Sequence, residues 1–370
     1  MRKFSLVLFA CLLTLPGLAS AANASTPTLS QLARELSTLQ AKVKAQGARI
    51  ADQGKRIATL RSKLASDEAV IAGQGNQLAS AAPVLAIAPY VSLNTSTMNG
   101  VAGPNIVFQG CNVHVRSATA EDDISGLGNL IIGWDDDPDS TPDFYRSGSN
   151  NLVCGAHNSF SGYGGFVAGA ANKIDTGFAS VSGGGFNTAN RDGASVSGGE
   201  GNTANLWYAS VSGGYHNQAG AEAASVSGGY YNTANREYAS VSGGRSNTAG
   251  GIGCSVSGGR ENMALDSAGS NSYASVSGGY QNTASGVHAS IAGGRWNTAN
   301  WEAAVVGGGE SNTASGVCSY VVGGSANHAS GDYAAILGGH DNEAKSGGAA
   351  IGGGEGLTLD SVLWAWLAGN

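Results

Sequence analysis

The residues of this chain that could do chemistry are few and unevenly placed. An acidic run, Asp135-Asp136-Asp137-Pro138-Asp139 with Asp143, sets carboxylates at alternate positions, as a calcium loop does. Ser140 stands at the sixth position, where such a loop takes glycine, and Arg146 at the twelfth, where it takes glutamate, so an EF-hand is excluded. Asp135, Asp137 and Asp139 are the ligands a looser calcium site would use; a solvated acidic loop is the other reading. His114, His157, His216, His288, His328 and His340 are scattered, and no nucleophile elbow, HExxH pair or phosphate loop occurs. The expectation is a protein that is not an enzyme and has no cofactor beyond that calcium option.

A second chemical set recurs at regular positions, after a Gly-Gly pair: Phe186, Tyr215-His216, Tyr230-Tyr231, Arg245, Arg260, Tyr280 and Arg295-Trp296. A further loop carries Leu206-Trp207, Arg236-Glu237 and Trp301-Glu302. Tyr, Trp and Arg dominate binding hot spots because they combine a large apolar face with a polar or charged tip. The candidate ligand-binding residues are therefore Tyr215, Tyr230, Tyr231, Arg245, Arg260, Tyr280, Arg295 and Trp296. The competing reading is that exposed loop positions tolerate any residue, aromatics included.

What positions these side chains is a repeat read as Ser-Val-Ser-Gly-Gly-x-x-Asn-Thr-Ala. Its asparagines fall at Asn187, Asn202, Asn217, Asn232, Asn247, Asn262, Asn282, Asn297, Asn312, Asn327 and Asn342. A 15-residue period predicts an all-β solenoid, a parallel β-roll, because one unit holds too few apolar side chains to bury a core without neighbours. Strand alternation puts Ala209 and Val211 inside and Ser210 and Ser212 outside. Gly213-Gly214 is expected to turn at positive φ, and Asn217 to stack on Asn202 and Asn232 as a ladder that satisfies the turn backbone. The composition agrees, since 59 glycines, 8 phenylalanines and 12% charged residues do not describe a domain with one large core. Variable positions then form outward columns about 4.8 Å apart.

Upstream the period changes. Leu29, Leu36, Val43, Ile50, Ile57, Leu64, Ile71 and Leu78 occupy heptad a, and Leu32, Leu39, Gln46, Gln53, Leu60, Asp67 and Gln74 heptad d. This predicts a parallel coiled-coil stalk over 29–79, about 75 Å long at 1.5 Å per residue. The buried polar d residues favour a trimer, in which symmetry mates satisfy them. Gly47, Gly54, Gly73 and Gly75 weaken the helix. Residues 1–21 read as a secretory signal, with Arg2-Lys3, the apolar run Phe4–Leu15 and Ala19-Ser20-Ala21. The mature chain is expected outside the cytoplasm, extracellular or on the cell surface, with the periplasm also open. Cys111, Cys154, Cys254 and Cys318 then remain, and a Cys111–Cys154 disulfide and small buried thiols are both open readings.

Between the two periodic regions, Pro83 to Pro89 is expected to break the helix. Ile106–Phe108, Val113–Val115 and Leu130–Ile132 read as strands, and Gly128-Asn129 as a turn. The domain sequence is thus signal 1–21, linker 22–28, stalk 29–79, linker and β adaptor 80–150, repeat head 151–356, and C-terminal cap 357–370, with Trp364 and Trp366 closing the last coil. The coil carries Arg34, Lys42, Lys44, Arg49, Lys55, Arg56, Arg61 and Lys63 against Glu35, Asp52, Asp67 and Glu68, whereas from Val84 onward acidic residues outnumber basic ones 22 to 9, and this acidic head excludes nucleic acid as a partner.

Val305-Val306-Gly307-Gly308, Val321-Val322-Gly323-Gly324 and Ile336-Leu337-Gly338-Gly339 resemble the head repeats of trimeric autotransporter adhesins. The resemblance implies a left-handed trimeric β-roll with a binding surface. The family unit has 14 residues, and its order is head, stalk, then a membrane β-barrel, whereas here the coil comes first and the 14 residues from Leu357 to Asn370 cannot build a barrel. Taken together, an exported adhesin-like homotrimer binding a cell-surface or matrix protein or glycan is expected. A purely structural spacer is one alternative. An ice- or lattice-binding solenoid, using the column Thr188, Thr203, Thr233, Thr248, Thr283, Thr298 and Thr313, is another.

Overall fold

The computed structural model describes residues 28–118, 120–134, 145–266, 272–361 and 363–368. Two compact units are distinguished, 1–113 and 114–370. The signal segment 1–21 and the acidic run Asp135–Asp143 lie outside the described residues.

In the first unit a helix spans Leu29–Ile87. At its start Thr28 donates its backbone N–H to Gln31 Oε1 at 3.0 Å, one half of a capping box. The helix passes Pro83, where a break was expected, and ends eight residues beyond the expected end of the stalk. Proline removes one amide donor and costs up to about 3 kcal/mol, but Ala81, Ala82 and Ala86 around it are strong helix formers. No helix among the described residues is long and apolar enough to cross a membrane. An antiparallel hairpin follows, pairing Val91–Asn94 with Asn105–Phe108. Val113–Val115 forms no strand.

The second unit is a parallel solenoid of about 14 turns. One 16-stranded sheet collects the Ser-Val strands and a 14-stranded sheet the Thr-Ala strands. Ser180, Ser195, Ser210, Ser225 and Ser240 pair in register, as do Thr188, Thr203, Gln218, Thr233 and Thr248. Ala209 and Val211 are buried at 0% and 1% exposure, and Ser210 and Ser212 point out, as alternation requires. The interior is a column of Ala, Val and occasional Ile, with Cys254 taking an alanine position between Ala239 and Ala274.

The stack begins earlier and ends later than the sequence suggests. Leu130–Ile132 is already its first strand, pairing with Leu152–Cys154, so the expected start at Asn151 is corrected by one turn. Trp366–Leu367 is its last strand, pairing with Ala350–Ile351, so the segment after Leu357 adds a further turn at the end of the stack. Nor is a fixed 15-residue spacing kept. Asn172 bonds Asn158 fourteen residues before it, Asn202 bonds Asn187 fifteen before it, and Asn282 bonds Asn262 twenty before it. Strand register is held by inward side chains and ladder bonds, so extra residues are accommodated at corners without disturbing either.

The Gly-Gly pair shows how a corner absorbs length. Val167 pairs with Val181 and Ala170 with Gly185, so the longer turn gains one residue between these points. A side chain at the first glycine, as at Gly243, meets open space, whereas the second, Gly244, has φ +88 and a Cβ there would fall on the carbonyl oxygen of Gly259. Positive φ is thus required at the second glycine and not generally at the first.

Asparagine closes each turn. Asn217 donates Nδ2 hydrogens to Gly213 O and Gly229 O, both at 2.9 Å, and its Oδ1 accepts the backbone N–H of Asn232 at 2.9 Å. The side chain is 1% exposed, so three bonds are made where water supplies none.

Candidate functional site

Each turn has a third ladder position, the residue directly after the two glycines. Isolated parallel bridges join Tyr215, Tyr230, Arg245, Arg260, Tyr280, Arg295 and Glu310 one after another. The residue that follows occupies the left-handed region: His216 (φ 51), Tyr231 (φ 55), Ser246 (φ 55), Glu261 (φ 55), Gln281 (φ 54) and Trp296 (φ 58). A side chain with a Cβ costs about 1–2 kcal/mol in that conformation. It persists because the chain must turn sharply between the bridge and the buried asparagine; the N–H of Tyr231, for example, bonds Tyr215 O at 3.0 Å. The candidate residues therefore divide into two adjoining columns. Tyr215, Tyr230, Arg245, Arg260, Tyr280 and Arg295 lie on the bridge column, and Tyr231 and Trp296 on the left-handed one.

Within these columns, side chains are ordered by one another. Tyr215 stacks on Tyr230 with centroids 5.2 Å apart and planes 7° apart, and His216 stacks on Tyr231 at 5.2 Å and 10°. Burial in this cluster, and then the neighbouring Tyr231, Glu200 and Tyr230, raises the Tyr215 phenol above its ordinary value. Arg245 lies over the Tyr230 ring at 5.4 Å, Arg260 over Tyr280 at 5.4 Å, and Arg295 over Trp296 at 4.9 Å, all cation–π distances. Arg295 also pairs with Glu310 at 2.7 Å.

Four turns combine into a shallow groove of about 500 Å³, lined by Ser246, Thr248, Glu261, Met263, Gln281 and Trp296. Trp296 Nε1–H donates to Gln281 Oε1 at 2.6 Å, Gln281 Nε2–H donates to Glu261 Oε2 at 2.7 Å, and Arg260 Nε–H donates to Glu261 Oε1 at 2.8 Å. The Arg260 bond first, then that from Gln281, holds the Glu261 carboxyl below the usual carboxylate range. This relay fixes an aromatic wall, an amide and a carboxylate at one mouth. Met263 stands in the strand position that Thr248 and Thr283 hold in adjacent turns, so the groove coincides with a departure from the repeat.

The sequence reading missed an aromatic column at another corner. Phe178, Tyr208, Tyr238, Tyr273, Tyr333 and Trp364 sit at positive φ just before the alanine that opens each turn, all exposed. From Phe178 to Tyr273 they alternate with Gly193, Ala223 and Gly253, and Gly348 separates Tyr333 from Trp364, whereas His288 stacks directly on Tyr273 at 5.6 Å; a Cβ on Gly193 would meet the Tyr208 ring at 2.9 Å. The ring of one turn occupies space the smaller residue leaves in the turn before, which accounts for the alternation. An aromatic directly before the inward alanine was the available signal. Leu206, read as an exposed loop residue, packs against the core.

The remaining candidates carry less. Asp135, Asp137 and Asp139 fall outside the described residues, among which no group of three or more His, Cys, Asp or Glu is placed to hold a metal. The four cysteines among the described residues are unpaired thiols, so no Cys111–Cys154 disulfide is formed; Cys254 is buried, Cys154 half-buried, and Cys111 and Cys318 are exposed. A concavity near Asn150 is built for structure, since that side chain bonds the Ser117 N–H and hydroxyl. Comparison with protein-family models and with curated protein sequences gave no match to the chain.

Proposed function

We propose that this protein is an exported, non-enzymatic, adhesin-like surface protein, in which a helical coiled coil joins identical chains and the solenoid presents columns of side chains to a cell-surface or matrix ligand. The observation that carries this reading is the pair of adjoining columns at Tyr215–Trp296. Rings stacked on rings and guanidinium groups laid over rings offer large, already ordered contact area, so little side-chain entropy is lost on binding. The two strand faces of the repeat point outward mainly with serine and threonine, and the exposed aromatics at the other corner, such as Tyr208 and Tyr238, form a separate column.

Homotrimer formation is supported by the helix. Leu36, Val43, Ile50, Ile57, Leu64 and Ile71 lie on one stripe, each more than half exposed in the single chain, and an uncovered stripe of that length calls for partner helices. The polar d residues Gln46, Gln53, Asp67 and Gln74 favour three helices, where a ring of three side chains or a trapped ion satisfies them.

Saturable binding of the full chain to intact cells or extracellular matrix tests the reading. Tyr230→Ala with Tyr231→Ala removes both stacked pairs without touching the core and is expected to weaken binding about tenfold or more. Unchanged binding eliminates the column as the contact surface, and a purely structural spacer then becomes the better account.

A further inference from the structure

We propose that the groove at Ser246, Glu261, Gln281 and Trp296 is a saccharide subsite that takes one pyranose ring of an anionic glycan, with the acidic substituent on Arg245. This rests on the adhesive reading above and gives that reading a ligand class.

A sugar ring presents an apolar C–H face and a rim of hydroxyls. The groove offers the complement, an indole wall at Trp296 and, around it, groups that accept or donate hydrogen bonds. Gln281 uses one Nε2 hydrogen on Glu261 and keeps another. Each Glu261 oxygen receives one bond and retains a lone pair for a hydroxyl, while Ser246 and Thr248 bring hydroxyls of their own. The mutual bonds of Trp296, Gln281, Glu261 and Arg260 hold the site in shape before any ligand arrives, the usual condition for a small-ligand site.

Charge selects among sugars. Arg260 is committed to Glu261 at 2.8 Å and Arg295 to Glu310 at 2.7 Å. Arg245 lies over Tyr230 and has no carboxylate within ion-pair distance among the described residues. It is the bridge residue directly before Ser246; its charge helps to lower the Glu261 carboxyl without pairing with it, so its donors remain open at the groove of a protein that is acidic as a whole. A planar fork of donors suits a carboxylate or sulfate. A uronic acid and a sulfated sugar share this chemistry, and the probes separate them.

The test is titration calorimetry of the full-length protein with three oligosaccharides: one of hyaluronan, bearing carboxylates; one of heparin, bearing sulfates as well; and one of dextran, which is neutral. Binding of at least one acidic probe, weakened by added salt and absent for dextran, is expected. Trp296→Ala is expected to lower that affinity tenfold or more, Trp296→Phe to retain most of it, and Arg245→Ala to lower it while leaving the melting curve in place. Tight binding of dextran, or of an acidic probe by Trp296→Ala as well as by the parent, overturns the proposal. Absence of binding to all three probes by a protein that still binds cells overturns it alone and leaves the adhesive reading standing; absence of both removes the two together.

Discussion

Replacing Asn232 by alanine should cost far more than its size suggests. The side chain is fully buried, donates to Gly228 O at 2.8 Å and Gly244 O at 3.0 Å, and accepts the Asn247 N–H at 3.0 Å. Gly244 O keeps a second donor, the Tyr230 N–H at 3.0 Å; Gly228 O and the Asn247 N–H lose the partner described for them. Two orphaned backbone groups at about 1–3 kcal/mol each give a penalty of about 2–6 kcal/mol. Because a solenoid couples only neighbouring turns, the loss should be local. Hydrogen exchange read by mass spectrometry should show faster exchange in peptides over 225–250 and little change over 320–345. Thr233→Ala, an outward position in the same turn, should change little. Asn232→Asp adds a pH dependence: its carboxylate would face two carbonyl oxygens, so its folded pKa is raised above the ordinary value of about 3.9. The protonated acid can still donate one bond, so the deficit is smallest below the unfolded pKa and grows as pH rises through the folded one. A local destabilisation under about 1 kcal/mol for Asn232→Ala would refute the assignment of turn closure to this ladder.

Other perturbations separate neighbouring residues. Gly243→Ala should leave the melting temperature unchanged or slightly raised, whereas Gly244→Ala, at φ +88 and against Gly259 O, should lower it markedly; equal effects would contradict the corner geometry. Ile50→Asp with Ile57→Asp should convert a trimer into a lone chain in analytical ultracentrifugation, and a parent that already sediments as a monomer removes the coiled-coil proposal. Arg260→Ala should return the Glu261 carboxyl towards its ordinary range in an NMR titration. In the parent the Arg260–Glu261 bond contributes above the unfolded pKa and is lost as pH falls through the depressed folded value; an unmoved midpoint would show that Arg260 is not the cause.

Much of the solenoid was legible because its physics is local. Alternation of Ala209 and Val211 with Ser210 and Ser212 assigns faces, and a buried amide recurring beside glycine assigns the closing hydrogen bonds. The candidate site was only half legible. The sequence placed Tyr230 and Tyr231, or Arg295 and Trp296, in one group, because nothing in the letters says that the chain bends to positive φ between them. The column with Tyr208 and Tyr238 escaped for a related reason: its alternation with Gly193 and Gly253 has meaning only once adjacent turns are in contact.

By itself the sequence determined that turns stack, which side chains face inward and that the upstream segment is a helix with an apolar stripe. These follow from periodicity and from the cost of burying polar groups without partners. Tertiary structure alone decided where the stack begins and ends, that turns of 14, 15 and 20 residues share one register, and that Trp296, Gln281, Glu261 and Arg260 join into one hydrogen-bonded groove. Those outcomes depend on contacts between turns, where a corner can absorb residues and side chains distant in the chain come within bonding distance.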